Sequence, residues 1–343
     1  MTSGNGHVGQ APRLSFACEL GSQRLAALFA DPSVIEDLRA LGAGVVLMLS
    51  DLSPERADAV RKLNAAGIPV VAVPLVPFED GYYFTADNPA RAAARYDEWK
   101  EWTKAEDLNW VGLGLDIEPD VRIYQQIAAD PKRVVPILLR NLRDKDRPQQ
   151  ASRAYGLLVE RMRADGWTVE NYQLPPMADE RRVGSTLLQR LFGMVDVQTD
   201  REVWMLYSSF FGRLGPGLLW SYGPEAPAIA VGSTGGAPDI PGSPQVPTLN
   251  WDQLAHNLSL ACHWSDNVLI HSLEGCVHQG LLNRLRSFTW PPASPPSTTW
   301  LANTLRWVVR SLLRASTCSP GTWLALTALL VLARRLRRRL ASR

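Results

Sequence analysis

Two carboxylate residues, Asp116 and Glu118, stand at the end of an apolar segment of strand character, residues 110–118. Side chains two positions apart in a strand project to the same side, so the two acids are expected to share one face. At the carboxyl end of a buried parallel strand, such a pair suits glycoside hydrolysis. The alternative is that both acids open the next helix, where they favour the N-terminal dipole. We favour a functional pair because burying an aspartate in an apolar strand is costly.

Other side chains suited to a sugar site lie near the ends of later strands. Glu19 ends the first predicted strand, where it either faces the site or caps the following loop. Glu274 ends the eighth predicted strand and is a candidate for substrate binding. Trp220 and Tyr222 lie in a predicted loop before the seventh strand, where aromatic rings could stack on sugar faces or pack under the loop. The loop after the third strand holds three aromatic residues that could form a wall of the site: Tyr82, Tyr83 and Phe84.

Helix and strand patterns alternate from residue 14 to residue 288, which is typical of parallel βα units. Eight strand–helix pairs in about 275 residues predict an α/β fold, a closed (β/α)8 TIM barrel. An open doubly wound sheet is the alternative, but no Gly-x-Gly-x-x-Gly motif opens a helix. The predicted strands are residues 14–19, 45–50, 68–76, 110–118, 168–174, 203–208, 228–232 and 268–273.

The charge distribution divides the 343-residue chain into an acidic body and a basic C-terminal region. Residues 290–343 contain nine arginines and no acidic residue, whereas the rest of the chain has 27 basic and 34 acidic residues. This asymmetry argues against nucleic acid as a partner of the body and favours an anionic membrane surface for the C-terminal region. The four cysteines and five histidines have no metal-ligand spacing, so no metal or other cofactor is expected.

Four segments are predicted from these patterns. Residues 1–13 are expected to be disordered, residues 14–288 to form the barrel, residues 289–300 to be a Pro/Ser linker and residues 301–343 to be an amphipathic, basic tail. The apolar core of the tail is shorter than the roughly 20 residues of a comfortable membrane span. It is therefore predicted to lie in the interface of an anionic membrane, with a soluble oligomerisation helix as the alternative. No signal peptide is recognisable, which favours the cytoplasmic face over export.

Three motifs resemble those of the family 18 chitinase-like glycoside hydrolases. The fourth strand of that family carries DGxDxDxE, and residues 111–118 here read VGLGLDIE. The glycine, the last aspartate and the glutamate of the motif are retained as Gly112, Asp116 and Glu118. Val111 and Gly114 stand in place of the first two aspartates.

The other two motifs fall on the sixth and eighth strands. Met205-Leu-Tyr207-Ser208 is similar to the family's Met-x-Tyr-Asp pattern without its final aspartate. Residues 268–274, VLIHSLE, are similar to an apolar-Trp-Ser-Leu-acid pattern, with His271 in place of the tryptophan. The resemblance thus extends over most of the barrel and adds Met205 and His271 to the predicted substrate-binding residues.

The resemblance implies a substrate-assisted hydrolysis of an N-acetylated amino-sugar glycan. Glu118 would protonate the glycosidic oxygen, Asp116 would orient the acetamido group that attacks the anomeric carbon, and Tyr207 would hydrogen-bond the acetamido oxygen. One alternative is a two-carboxylate retaining glycosidase, with the Glu118 and Glu274 carboxyls about 5–5.5 Å apart. The departures from the motifs favour another alternative, an inactive barrel that binds a glycan or a protein partner at a membrane.

Overall fold

The structure is a computed structural model that describes residues 11–236 and 247–317. Most of the segment predicted to be disordered (residues 1–10) and the end of the predicted tail (residues 318–343) lie outside the described residues. Within the described residues, no helix combines the length and the apolar character that crossing a bilayer requires.

Eight parallel strands form a closed barrel in which each strand pairs with the next and the eighth pairs with the first. This confirms the predicted barrel and excludes the open sheet. The strands are β1 (Arg13–Cys18), β2 (Gly44–Leu49), β3 (Val70–Pro74), β4 (Gly112–Asp116), β5 (Val169–Gln173), β6 (Arg201–Met205), β7 (Ala228–Gly232) and β8 (Asn267–His271).

Helices surround the barrel, and several begin with proline at the first helical position, where its missing N–H costs nothing. Their bounds are α1 (Ser22–Leu28), α2 (Pro32–Ala40), α3 (Pro54–Ala65), α4 (Pro89–Ala105), α5 (Val121–Ala129), α6 (Pro131–Arg143), α7 (Arg147–Ala164), α8 (Pro176–Val183), α9 (Leu187–Phe192), α10 (Gly215–Tyr222), α11 (Trp251–Cys262), α12 (Leu273–His278), α13 (Leu281–Arg286) and α14 (Thr299–Thr317).

Side chains of β4 alternate between two layers, as the period of a strand requires. Leu113 and Leu115 are fully buried in the large apolar cluster between the strands and the helices. The alternate positions, Gly112, Gly114 and Asp116, therefore face the barrel interior. Because both layers are buried, the strand reads as a nearly continuous apolar run in the sequence.

The centre of the barrel beneath Asp116 is filled by the ring of Tyr172 from β5. A Cβ atom on Gly114 would lie 2.7 Å from Cε2 of Tyr172 and 2.7 Å from Cγ2 of Val73, so a side chain cannot be added without movement. The Tyr172 hydroxyl donates a hydrogen bond of 2.6 Å to Glu170, which is paired with Arg201. Gly114 stands where the family 18 motif has its second aspartate. The ring of Tyr172 occupies the space that this side chain would need.

The C-terminal helix α14 differs from the predicted tail because it packs on α8 and α10 of the barrel. The helical period of the tail predicts Leu301 on its apolar face and Arg306 off that face. In the structure Arg306 is 6% exposed and Leu301 is 43% exposed. The reason is electrostatic: Nε of Arg306 lies 2.9 Å from a carboxylate oxygen of Asp179, and its NH2 group lies 2.9 Å from Glu225.

Arg310 extends this pairing by one helical turn. Its Nε lies 2.6 Å from Asp179, and its NH2 group lies 3.3 Å from Glu225. We refer to Asp179, Glu225, Arg306 and Arg310 as the C-terminal ion network. The network joins two residues of the predicted barrel to two residues of the predicted tail.

Candidate functional site

Five polar side chains meet at the carboxyl ends of β1, β4, β6 and β8, and we call them the mouth cluster: Glu19, Asp116, Glu118, Tyr207 and His271. Nε2 of His271 lies 3.8 Å from Oε2 of Glu19. The rings of Tyr207 and His271 have centroids 5.1 Å apart. The charges of Glu19 and Glu118 both act on Asp116. The sequence-predicted residues of strands four, six and eight are therefore brought together.

Asp116 is the most deeply buried acid of β4, with 5% of its surface exposed. Its Oδ1 atom has no hydrogen-bond partner. Burial raises the pKa of this carboxyl well above its usual range, and the neighbouring Glu118 and Glu19 carboxylates raise it further. Asp116 thus stays protonated to a higher pH than an exposed aspartate.

Glu118 follows β4 and is half-buried. Its backbone N–H donates a 3.0 Å hydrogen bond to the carbonyl of Phe84, and Phe84 donates to the carbonyl of Asp116 at 3.2 Å. These bonds continue strand-like pairing with the loop after β3 beyond the end of β4. The two acids are therefore fixed by backbone contacts, and Glu118 is the more accessible of them.

His271 and Glu19 face each other across the β1–β8 pair. Burial lowers the pKa of His271, but the hydrogen bond and the charge of Glu19 outweigh it, so the pKa is raised overall. Oε1 of Glu19 also accepts a 3.5 Å hydrogen bond from the Tyr83 hydroxyl. Tyr83, from the loop proposed as a substrate wall, thus borders the mouth cluster.

Tyr207 follows β6 and stands one layer above Met205. Burial raises its pKa well above the usual range, followed by the charges of Asp116, Glu118 and Glu19. Its hydroxyl therefore remains a proton donor under ordinary conditions. Met205 is 6% exposed and packs in the barrel interior, so it forms part of the floor beneath the cluster.

Glu274 lies beside the mouth cluster in the first turn of α12, one element later than predicted. Its side chain is buried, with 8% of the residue exposed, and neither carboxylate oxygen has a hydrogen-bond partner. It lines a cavity of about 500 Å³ together with residues of the segments after β7, among them Thr234, Gly236 and Thr248. Burial raises the pKa of Glu274 despite the opposing effect of His271.

Trp220 and Tyr222 are not part of the site, contrary to the sequence prediction. Both belong to α10, not to a loop. The Trp220 ring stacks on His263 at 4.8 Å between centroids. The Tyr222 hydroxyl donates a 2.6 Å hydrogen bond to Asp179 of the C-terminal ion network. The correction has a physical reason: Leu218 and Leu219, which begin this aromatic segment, are buried, and the helix packs on the outside of the barrel.

Within residues 11–236 and 247–317, no three histidine, cysteine, aspartate or glutamate side chains are arranged to hold a metal ion. The mouth cluster consists of side chains that can donate or accept protons. Its acids, histidine and tyrosine lie at the carboxyl ends of the strands, where TIM-barrel enzymes carry their catalytic residues. The chain therefore belongs, by fold, to the (β/α)8 barrels.

No protein-family model matches the chain, and no curated protein matches it. Among solved structures it is similar to ScGas2 in complex with a small compound, at 13% identity and TM-score 0.44, over 88% of this chain and 69% of that one. It is also similar to an endo-β1,6-glucanase, at 12% identity and TM-score 0.41, over 78% and 68%.

A third neighbour is the D-allulose 3-epimerase from Methylomonas sp., at 8% identity and TM-score 0.39, over 89% of this chain and 99% of that one. The neighbours thus include a glycoside hydrolase and a sugar epimerase. None of these matches identifies family 18.

Proposed function

We propose that this barrel is a glycoside hydrolase that cleaves an N-acetylated amino-sugar glycan. The observation that carries the proposal is the buried carboxyl of Asp116, whose Oδ1 has no hydrogen-bond partner, in one cluster with the half-buried Glu118 and Tyr207. A carboxyl that stays neutral at moderate pH can donate and share protons, which is the requirement for an acid catalyst at a glycosidic bond.

In the proposed mechanism, Glu118 gives its proton to the glycosidic oxygen as the bond from that oxygen to the anomeric carbon breaks. The acetamido oxygen of the substrate forms the new bond to the anomeric carbon, and Asp116 holds the acetamido N–H. Tyr207 donates a hydrogen bond to the acetamido oxygen and holds it in position to attack the anomeric carbon. Glu118 then accepts a proton from the water that opens the cyclic intermediate, which restores the enzyme.

Binding without cleavage is the second candidate, and one observation favours it. Tyr172 occupies the space of the inner aspartate that the family motif would provide beside Gly114. Asp116 therefore lacks an acidic partner below it to exchange protons with. A barrel that holds a glycan in the mouth cluster would need no such partner.

The Glu118→Gln variant separates the two candidates. Wild type is expected to release 4-nitrophenol from N-acetylglucosamine oligosaccharide glycosides, and the variant to lose about 10²–10⁴ of the rate, since it removes the general acid. The exposed Glu101→Gln on α4 is the matched control and should retain full activity. If wild type binds these oligosaccharides without cleaving them, the proposal of a hydrolase is refuted and the proposal of a glycan-binding barrel is supported.

We also propose that the C-terminal region attaches the barrel to anionic membranes. The outer face of α14 exposes Trp300 and Trp307, at 69% and 67%, and tryptophan favours the membrane interface. Residues 318–343 of the sequence contain six arginines and no acidic residue, a composition that favours an anionic surface. The full chain is expected to sediment with phosphatidylglycerol vesicles. A chain that ends at residue 317 is expected to stay in the supernatant. Equal sedimentation of both chains would contradict this.

A further inference from the structure

Glu274 is a buried carboxylate that the proposed mechanism does not use. Its surface is 8% exposed, and both of its oxygens lack a hydrogen-bond partner. Leaving a buried charged group without donors costs more than a single hydrogen bond gains. A residue in this state is expected where a ligand supplies the missing donors.

The cavity that Glu274 lines is large enough for a sugar unit. It measures about 500 Å³ and is bordered by small and polar residues: Thr234, Gly235, Gly236, Thr248, Gly275, His278 and Gln279, with Arg24 at its exposed edge. A Cβ atom on Gly236 would lie 2.3 Å from Oε1 of Glu274, so the backbone there passes close to the carboxylate and leaves its oxygens no side-chain donor from that position.

Glu274 interacts electrostatically with two residues of the mouth cluster. The charges of His271 and Glu19 both act on it. His271 lies 3.8 Å from Glu19, and neither oxygen of Glu274 has a hydrogen-bond partner. Glu274 therefore keeps unfilled hydrogen-bond capacity next to the mouth cluster.

We propose that the Glu274 cavity is a subsite for a sugar that carries a free ammonium group. This rests on the proposed function, because the neighbouring acetylated sugar would lie on Asp116 and Glu118. An ammonium group offers three donors and one positive charge, which matches a carboxylate with two unpartnered oxygens. The substrate is accordingly a partially deacetylated amino-sugar chain.

Binding of two tetrasaccharides tests the proposal: fully N-acetylated chitotetraose, and the same tetramer with one free amine. Affinities are measured by calorimetry on the full chain in a Glu118→Gln background, so that the ligands are not consumed. The free amine is expected to tighten binding about tenfold or more, the gain of one charge-assisted hydrogen-bonded pair. Adding Glu274→Gln should abolish this gain, so that the variant binds the two tetramers with the same affinity.

The exposed Glu101→Gln on α4 serves as the control and should retain the gain. A free amine that brings no gain, or a gain that survives Glu274→Gln, would overturn the subsite. Cleavage that depends on Glu118 without any preference for the amine would refute the subsite and keep the hydrolase. A preference for the amine without cleavage by wild type would refute the hydrolase and keep the subsite.

Discussion

The mouth cluster and the C-terminal ion network both contain buried carboxylates, but they differ in what neutralises them. In the network, Asp179 is 0% exposed and receives Arg306 at 2.9 Å and Arg310 at 2.6 Å. In the cluster, the groups that act on Asp116 are two further acids, Glu118 and Glu19. One group of acids is charge-balanced by arginine, and the other is not.

The pKa directions of the two groups reflect this difference. Burial favours a higher pKa for Glu225, but Arg306, Arg182 and Arg310 outweigh it and lower the pKa. The pKa of Asp116 is raised by burial and by its acidic neighbours. Carboxylates paired with arginine are charge-balanced within the fold, whereas clustered acids that raise one another's pKa are candidates for a functional site.

The largest expected effect is a difference in the free energy of unfolding between two variants, each of which replaces one buried aspartate by asparagine. Asp179→Asn removes the buried carboxylate that Arg306 and Arg310 share and leaves Arg306 with Glu225 alone. It is expected to reduce the free energy of unfolding by about 3–5 kcal/mol. Asp116→Asn removes a group that is costly to ionise, so its free energy of unfolding should equal or exceed that of wild type. Urea unfolding of both variants measures the difference.

Equal destabilisation of both variants would contradict the proposed difference between the C-terminal ion network and the mouth cluster. That result would mean that a partner stabilises the charge of Asp116 in the folded protein. If the Asp179→Asn protein is too unstable to purify, Arg310→Met, which keeps the Arg306 pair, replaces it and should have a lower urea midpoint than wild type.

A smaller effect is expected in the pH dependence of stability. The folded-state pKa values of Asp116 and Glu274 are raised, so the unfolded chain releases these protons first as the pH rises above about 4. Stability contributed by these two groups therefore decreases with rising pH. The folded-state pKa of Glu225 is lowered, so its contribution is present at higher pH and is lost on acidification.

Unfolding free energies measured between about pH 3.5 and 7 should separate the two groups. The double variant Asp116→Asn, Glu274→Gln is expected to flatten the decrease toward neutral pH. Glu225→Gln is expected to flatten the decrease on the acid side. A double variant with the wild-type slope would show that the mouth acids are ionised in the folded protein as readily as in the unfolded chain.

The barrel could be predicted from the sequence because its signals are local and repeated. The alternation around Asp116, with Leu113 and Leu115 on the opposite face, places the acid on the inner side of β4 before any tertiary contact is known. The strand ends then bring Glu19, Tyr207 and His271 to one rim, since parallel strands of a closed barrel end together.

What the sequence did not predict depends on partners that are distant in the chain. Tyr172 fills the space beside Gly114 from a neighbouring strand, and no spacing in β4 indicates this. Tyr222 was expected at the mouth, but its hydroxyl donates a hydrogen bond to the buried Asp179 on α8. Arg306 was expected off the apolar face of the tail, but it is buried against Asp179, which lies 127 residues away in the chain.

The docking of α14 has a practical consequence for anyone who shortens this protein. The sequence alone would suggest ending a recombinant protein within the Pro/Ser linker. Such a protein lacks Arg306, and the buried carboxylate of Asp179 on α8 then has no counter-charge from α14. A stop at residue 317, the end of α14, keeps Arg306 and Arg310 with Asp179.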